Sequence, residues 1–179
     1  MINLNKHIQL ETITAKKHSR LVSLIKRIYP PVYKHLWKNE DCNFYINTFY
    51  SVENLKLELS DTNAEYYFIN YNSKTSGIVR IKYNETFSKE PNTPALYINR
   101  IYLGKEAQGK GVAKQVFNWI EKSAVKHNTK LLWLKVMNTQ NQALNFYKKQ
   151  DFRICGTTAL TFDLLHEDLR GMYLMSKEL

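Results

Sequence analysis

The sequence predicts an α/β (α+β mixed) fold: a mixed, mostly antiparallel sheet of six to seven strands, with helices on both faces. Three observations carry this expectation. Strand-like runs follow one another from Glu65 to Leu103. A strand, helix, strand, helix, strand order then runs to the C-terminus. Three of only six glycines, Gly104, Gly109 and Gly111, fall within eight residues at the point where one pattern gives way to the other. At 179 residues the chain can bury one full core and is short for two, so residues 1–179 are expected to form a single domain.

The elements are read in chain order. His7 to Thr14 places Ile8, Leu10 and Ile13 in near alternation, which suggests an opening strand. Leu21, Leu24, Ile25 and Ile28 recur at helical spacing, and the Pro30-Pro31 pair should stop that helix. An aromatic region containing Tyr33, Trp37, Phe44, Tyr45, Phe49 and Tyr50 suggests one or two short helices. EYYFINY (65–71) and GIVRIKY (77–83) read as an antiparallel hairpin around the turn-forming residues Asn72 to Ser76.

ALYINRIYL (95–103) extends that series and delivers the chain to the glycine cluster. Val112, Val116, Ile120 and Ala124, widened by Ala113 and Phe117, form the stripe of a helix lying on a sheet. LLWLKV (131–136) is the compact apolar run of a buried central strand. Thr139-Gln140-Asn141-Gln142 has capping-box spacing and should open a helix running to Lys149. Two final strands are expected over 152–160 and 171–176.

Charge narrows the function. The net charge is +10, and residues 105–149 contribute seven of it through nine Lys and two Glu, with no Arg or Asp. An anionic partner is implied: nucleic acid, a membrane surface or a phosphorylated small molecule. The lack of Arg in that quarter, and of any nucleic-acid motif, gives no support to base readout, so no specific nucleic acid is expected. The opening MINLNKHIQLETIT has no apolar signal core, and no window approaches the ~20 apolar residues that span a bilayer, so no membrane partner is expected. Cys42 and Cys155 stand far apart, arguing for neither a disulfide framework nor a metal knuckle. No metal site is expected, and a reducing cytoplasm fits. A homodimer is the default assembly.

The stretch Gln108-Gly109-Lys110-Gly111-Val112-Ala113-Lys114 is the most informative. A strand that ends in glycines and opens a helix presents free backbone N–H groups at the positive end of the helix dipole. Glycines let an anion approach the backbone, and Lys110 and Lys114 add charge, so a pyrophosphate is a natural guest. An ordinary glycine turn is the alternative. The dinucleotide fingerprint fails because Lys114 stands where its third glycine belongs, and the P-loop fails because no Gly-Lys-Ser/Thr closes the loop.

Gln108-Gly109-Lys110-Gly111-Val112-Ala113, following Ile98 to Leu103, resembles the Gln/Arg-x-x-Gly-x-Gly/Ala signature of the GNAT superfamily of acetyl-CoA-dependent N-acetyltransferases. Leu134-Lys135-Val136 and Ala143 to Phe152 are similar to the family's strand, its Asn-x-x-Ala-x-x-Phe-Tyr helix and its Gly-Phe turn. Gln140 stands at the family's Asn, beside Asn141, and Asp151 at its Gly.

The resemblance implies a sheet whose strands 95–103 and 131–136 splay apart around the pantetheine of acetyl-CoA. It places Ile101, Tyr102, Leu103, Gln108, Gly109, Lys110, Gly111, Val112, Ala113, Lys114, Asn138, Gln140, Asn141, Phe146 and Tyr147 at the cofactor. It gives Tyr147 the role of general acid toward the thiolate, against the alternative of one packing tyrosine among twelve. Asn99 falls where many relatives carry Glu, and an amide cannot act as a base, so no base is assigned.

The acceptor side is expected to draw on Tyr29, Tyr33, Trp37 and Asn99. Aromatics near Glu40 and Asp41 suit a small cationic amine, and core packing is the competing explanation. The tract Phe44 to Leu59, EYYFINY and MYLMSKEL are similar to bacterial polyamine N-acetyltransferases of the spermidine type. The competing readings are protein or peptide N-acetylation and a coenzyme A-binding module without turnover.

Overall fold

The computed structural model describes residues Met1–Leu179. Its eight strands form one sheet: β1 (Ile2–Asn3), β2 (Ile8–Thr12), β3 (Ala64–Tyr71), β4 (Lys74–Tyr83), β5 (Ala95–Leu103), β6 (Leu131–Met137), β7 (Arg153–Ala159) and β8 (Gly171–Glu178). The order across the sheet is β1-β2-β3-β4-β5-β6-β8-β7. Every neighbouring pair is antiparallel except β5 and β6. That parallel pair needs a crossover, which α5 (Val112–Lys126) supplies. The strand count exceeds the expected six to seven because β1 is a two-residue edge too short to leave a periodic signal.

Two layers of helices cover the sheet. On one face Val112, Val116, Phe117, Ile120 and Ala124 of α5, with Leu144 and Tyr147 of α6 (Asn141–Lys149), pack on Val79, Ile81, Leu96, Ile98, Leu132, Leu134 and Val136. On the other face Leu21, Leu24, Ile25 and Ile28 of α1 (His18–Ile28), Ile46 of α3 (Asn43–Phe49) and Leu55 of α4 (Val52–Ser60) pack on Phe68 and Ile78. A smaller patch on that second face buries Phe87, from the segment between β4 and β5, against Trp133 and Leu174. No helix is long and apolar enough to cross a membrane.

Local chemistry sets the boundaries. Pro30 and Pro31 end α1, as their missing N–H groups require, yet they also open the short α2 (Pro30–Tyr33), where a proline at the first position costs nothing. The β3–β4 connection is tighter than the sequence suggests. Asn72 and Ser73, both at positive φ, form a two-residue turn, so Lys74 to Ser76 belong to β4. The capping box at Thr139 does not form: Gln140 is the N-cap of α6 without a side-chain bond, and its amide reaches the Val32 carbonyl of α2 instead (3.4 Å).

The β5/β6 ladder runs only from Ala95↔Leu131 to Ile98↔Leu134. Beyond it β5 continues to Leu103 and β6 to Met137 without pairing, so the splay expected for the central strands is present. The break coincides with a bulge: Arg80 and Ile81 of β4 oppose Arg100 and Ile98 of β5, leaving Asn99 unpaired.

A polar clamp holds α1 to the sheet. Arg20 donates twice to Glu11 of β2 (2.8 and 2.9 Å), Asn70 of β3 donates to the same carboxylate (3.0 Å), and Lys17 pairs with it (2.9 Å). The Arg20 guanidinium also lies 4.4 Å from the Phe68 ring centre. The bonds from Arg20 depress the Glu11 carboxyl to about 2; burial acts the other way, and the bonds from Asn70 and Lys17 add to the lowering. A depressed carboxyl stabilises the fold above its unfolded value and loses that contribution as pH falls through its folded value. Acid titration of unfolding should therefore show a loss of about 1–2 kcal/mol, after allowance for solvent screening, between the ordinary 4.5 and about 2. Glu11→Gln should be less stable at neutral pH and lack that part of the slope; an unchanged slope would remove Glu11 as its source.

Candidate active site

The splay opens into a cavity of about 570 Å³. Ile101, Tyr102 and Leu103 of β5 form one side, and Gln140, Gln142, Ala143, Phe146, Tyr147, Lys149 and Gln150 form the other. Ile28, Val32 and Tyr33 close one end, and Ala107 to Lys114, Lys110 excepted, close the other.

The glycine loop is held by its start. Gly104 N–H donates to the Ser76 carbonyl (2.7 Å), Gln108 Nε2 donates to the Leu103 carbonyl (2.8 Å), and Ala107 is buried in the core. Glu106 pairs with Arg27 of α1 (2.5 Å), whose other nitrogen donates to the Thr75 carbonyl (2.8 Å). Burial alone would raise the Glu106 carboxyl, but the Arg27 guanidinium, helped by Lys74, holds it below its usual range. This clamp was not visible in the sequence, where Arg27 and Glu106 lie 79 residues apart.

After Gln108 the loop changes character. Gly109 and Gly111 take φ of 67° and 75°, and a Cβ at either would meet nothing within 4 Å. Gly111 is the N-cap of α5 and offers no side-chain cap. The amides from Gly109 to Lys114 have no hydrogen-bond acceptor within the chain, and the first return bond of the helix is Gln115 N–H to Gly111. Six consecutive free donors at a helix start, with Lys114 and Lys149 at the cavity, form a cradle fitted to a pyrophosphate. Gln108 lines the cavity as expected from the sequence, but its own amide is spent on Lys105 (3.3 Å), so the free run starts at Gly109 and reaches Lys114.

Across the cavity, Tyr147 of α6 is 8% exposed and its hydroxyl has no partner in the chain. Burial alone, with no charge beside it, pushes its pKa above the ordinary tyrosine value. Tyr33 faces the same space, and its pKa is raised by burial and then by the nearby Tyr147. Behind it stands an aromatic stack: Tyr29 lies 4.6 Å from Tyr33 and 4.4 Å from Tyr45 between ring centres, and the Tyr45 and Tyr102 hydroxyls share a bond of 2.8 Å.

Several sequence-predicted residues lie elsewhere. Trp37, 1% exposed, packs on Phe162 and donates from Nε1 to the Tyr29 hydroxyl (3.3 Å), so it supports the wall from the core. Tyr29 is likewise buried behind Tyr33. Asn99 accepts from Arg80 Nη1 (3.0 Å) and does not line the cavity. Lys110 and Asn141 point to solvent, and Asn138 donates its backbone N–H to Gly171 (3.0 Å) at the foot of β8. Glu40 is exposed and paired with Lys34, while Asp41 accepts from the Asn43 backbone (2.8 Å). No carboxylate lines the cavity. No group of three or more His, Cys, Asp or Glu is placed to hold a metal ion. Ala143, Lys149 and Gln150, from the second motif block, and Ile28, Val32, Ala107 and Gln142, which belong to no motif singled out in the sequence, complete the lining.

Comparison with known proteins gives an independent reading. The model of the acetyltransferase (GNAT) family matches residues 20–152. An uncharacterized N-acetyltransferase in the pepI 3′ region of Lactobacillus delbrueckii subsp. lactis is 21% identical over 140 residues, covering 78% of this chain and 81% of that protein. The fold is similar to that of PaiA N-acetyltransferase from Thermoplasma acidophilum in complex with coenzyme A, with a TM-score of 0.74, 18% identity and coverage of 96% and 99%. It is also similar to RimL, a ribosomal L7/L12 α-N-protein acetyltransferase in complex with coenzyme A, with a TM-score of 0.73, 16% identity and coverage of 99% and 97%.

The glycine geometry yields a stability prediction. Since a methyl group at Gly111 meets open space, Gly111→Ala should cost only the left-handed backbone strain, about 1–2 kcal/mol. Thermal unfolding measures it, and a loss several times larger would mean that this turn is packed rather than open.

Proposed function

Because the chain belongs to the GNAT family and is an acetyl-CoA-dependent N-acetyltransferase, we propose that it acetylates a primary amine by direct attack within a ternary complex. The run of free amides from Gly109 to Lys114 beside the splayed strands carries this reading. These amides, with Lys114 and Lys149, hold the pyrophosphate of coenzyme A, which supplies the activated acetyl thioester. The unpaired edge of β5 from Ile101 to Leu103 takes the pantetheine arm, and one of its N–H groups stabilises charge developing on the thioester oxygen. Holding amine and thioester side by side removes the entropic cost of their encounter.

The new bond forms between nitrogen and the acetyl carbon as the carbon–sulfur bond breaks, and the sulfur leaves with the electron pair. Tyr147 donates the proton the thiolate needs, and burial keeps its phenol protonated at neutral pH. An alkylammonium, with a pKa of about 10.4, must lose a proton before it attacks. Asn99 cannot take it, since an amide is no base and its oxygen is held by Arg80, so water carries that proton out to solvent.

The acceptor is a small amine met by Tyr33 and Tyr102. The likeness of Phe44 to Leu59 to spermidine-type enzymes suggests a polyamine. A specific observation favours a second reading, a peptide or protein N-terminus: a polycation calls for carboxylates, and the cavity's only ionic side chains are Lys114 and Lys149.

Thiol release from acetyl-CoA, followed across polyamines, aminoglycosides, amino acids and peptides, tests the whole reading. Tyr147→Phe should lower kcat by about one to three decades while acetyl-CoA affinity stays within a few-fold. Equal turnover would remove Tyr147 from the chemistry. Gly111→Asp sets bulk and negative charge against the phosphates and should abolish coenzyme binding in calorimetry; retained affinity would locate the coenzyme elsewhere.

A further inference from the structure

Lys135 is out of keeping with its strand. It is the one exposed residue of β6, flanked by Leu134 and Val136 and followed by Met137, all buried. A central strand in parallel pairing is buried on both faces and reads as a continuous apolar run, so a charged side chain here adds nothing to the core. Alternation from Trp133 and Met137 puts Lys135 on the face covered by α1 to α4. There it lies between two separate apolar patches, the one under those helices and the one around Phe87. It is also the first residue of β6 beyond the last rung of the β5/β6 ladder, Ile98↔Leu134. The residue of β5 that follows the same rung is the bulged Asn99. Lys135 thus stands at the vertex of the splay, on the same face as the Tyr33 and Tyr102 wall.

The charges around it leave it uncompensated. Glu58 pairs with Arg100 (2.6 Å), Asp61 with Lys82 (3.5 Å) and more distantly Arg80 (3.7 Å), and Glu85 with Lys82 (2.8 Å). These three carboxylates are therefore committed to other cations, and Lys135 makes no ion pair. Its ammonium lies 6.0 Å from the Trp133 ring centre, and that ring is fixed by stacking on Tyr97 and by its bond to the Glu85 carbonyl. Arg80, 5% exposed, is held by Asp61 and Asn99, with only its Nε buried without a partner.

We propose that Lys135 receives a carboxylate of the acceptor, so that the amines this protein acetylates carry negative charge near the nucleophilic nitrogen. This rests on the transferase reading above and narrows its substrate class. Two sources share the chemistry: the α-carboxylate of an amino acid, or an acidic side chain close to a peptide N-terminus. Lys135 stands beside the cavity lining and not in it, and that lining offers a polycation no carboxylate.

The experiment compares kcat/KM for matched acceptors differing only in one charge: amino acids against their amides, and short peptides with Asp or Asn at the second position, with spermidine as the cationic control. Wild type should favour the acidic member of one pair about tenfold or more, as a charge-assisted hydrogen bond permits, and which pair responds identifies the source. Lys135→Gln should erase that preference and Lys135→Glu invert it, with acetyl-CoA affinity unchanged in both. Equal ratios in wild type and Lys135→Glu, or a wild-type preference for spermidine, would overturn the proposal while leaving the transferase intact. Absence of thiol release with every acceptor would overturn the transferase reading itself.

Discussion

A parallel pair of strands that stops pairing after four rungs is the constraint on which the rest depends. Two strands in mid-sheet normally satisfy each other's backbone groups. Here β5 and β6 do so only to Ile98 and Leu134. The bulge at Asn99 lets β5 keep its bonds to β4 while turning from β6. The gap that results exposes a strand edge inside the protein, where a linear amide-bearing arm can be read by main-chain groups.

The glycine turn depends on that same departure. As β5 leaves the sheet it is caught by the bond of Gly104 to Ser76 and the Gln108 side chain, and by the Arg27–Glu106 pair. With the start of the loop fastened, its remainder can stay unsatisfied: amides from Gly109 onward point at a helix start with no internal acceptor. Fixed donors of this kind need no reorganisation when charge arrives. Tyr147, across the gap, is the complement: a hydroxyl kept neutral by burial and left without a partner.

Much of this was legible in the sequence because it rests on local rules. The apolar stripe of 112–124 became α5, the run 131–136 became β6, and the glycine spacing marked a turn with free amides at a helix start. What failed was decided by tertiary contact. Trp37 and Tyr29 belong to an aromatic-rich segment, but only packing determines that Tyr33 faces the cavity while they stand behind it. Glu40 and Asp41 neighbour the aromatics in sequence and turn to Lys34 and a backbone amide in space. Thr139 had capping spacing and lost to the bond that Gln140 makes with α2. Asp151 replaces a glycine yet takes the left-handed conformation at φ 66°, so the departure from pattern changed the cost of the turn and not its shape.

The two halves of the cavity come from separate stretches of chain. Tyr33 and the stack behind it descend largely from residues 29–50, whereas the glycine turn and the helix bearing Tyr147 descend from 104–150. Only narrow seams join them, among them Arg27 with Glu106 and Gln140 with Val32. An ancestral lineage could therefore rewrite its early segment, and with it the molecules it modifies, while inheriting the coenzyme machinery untouched.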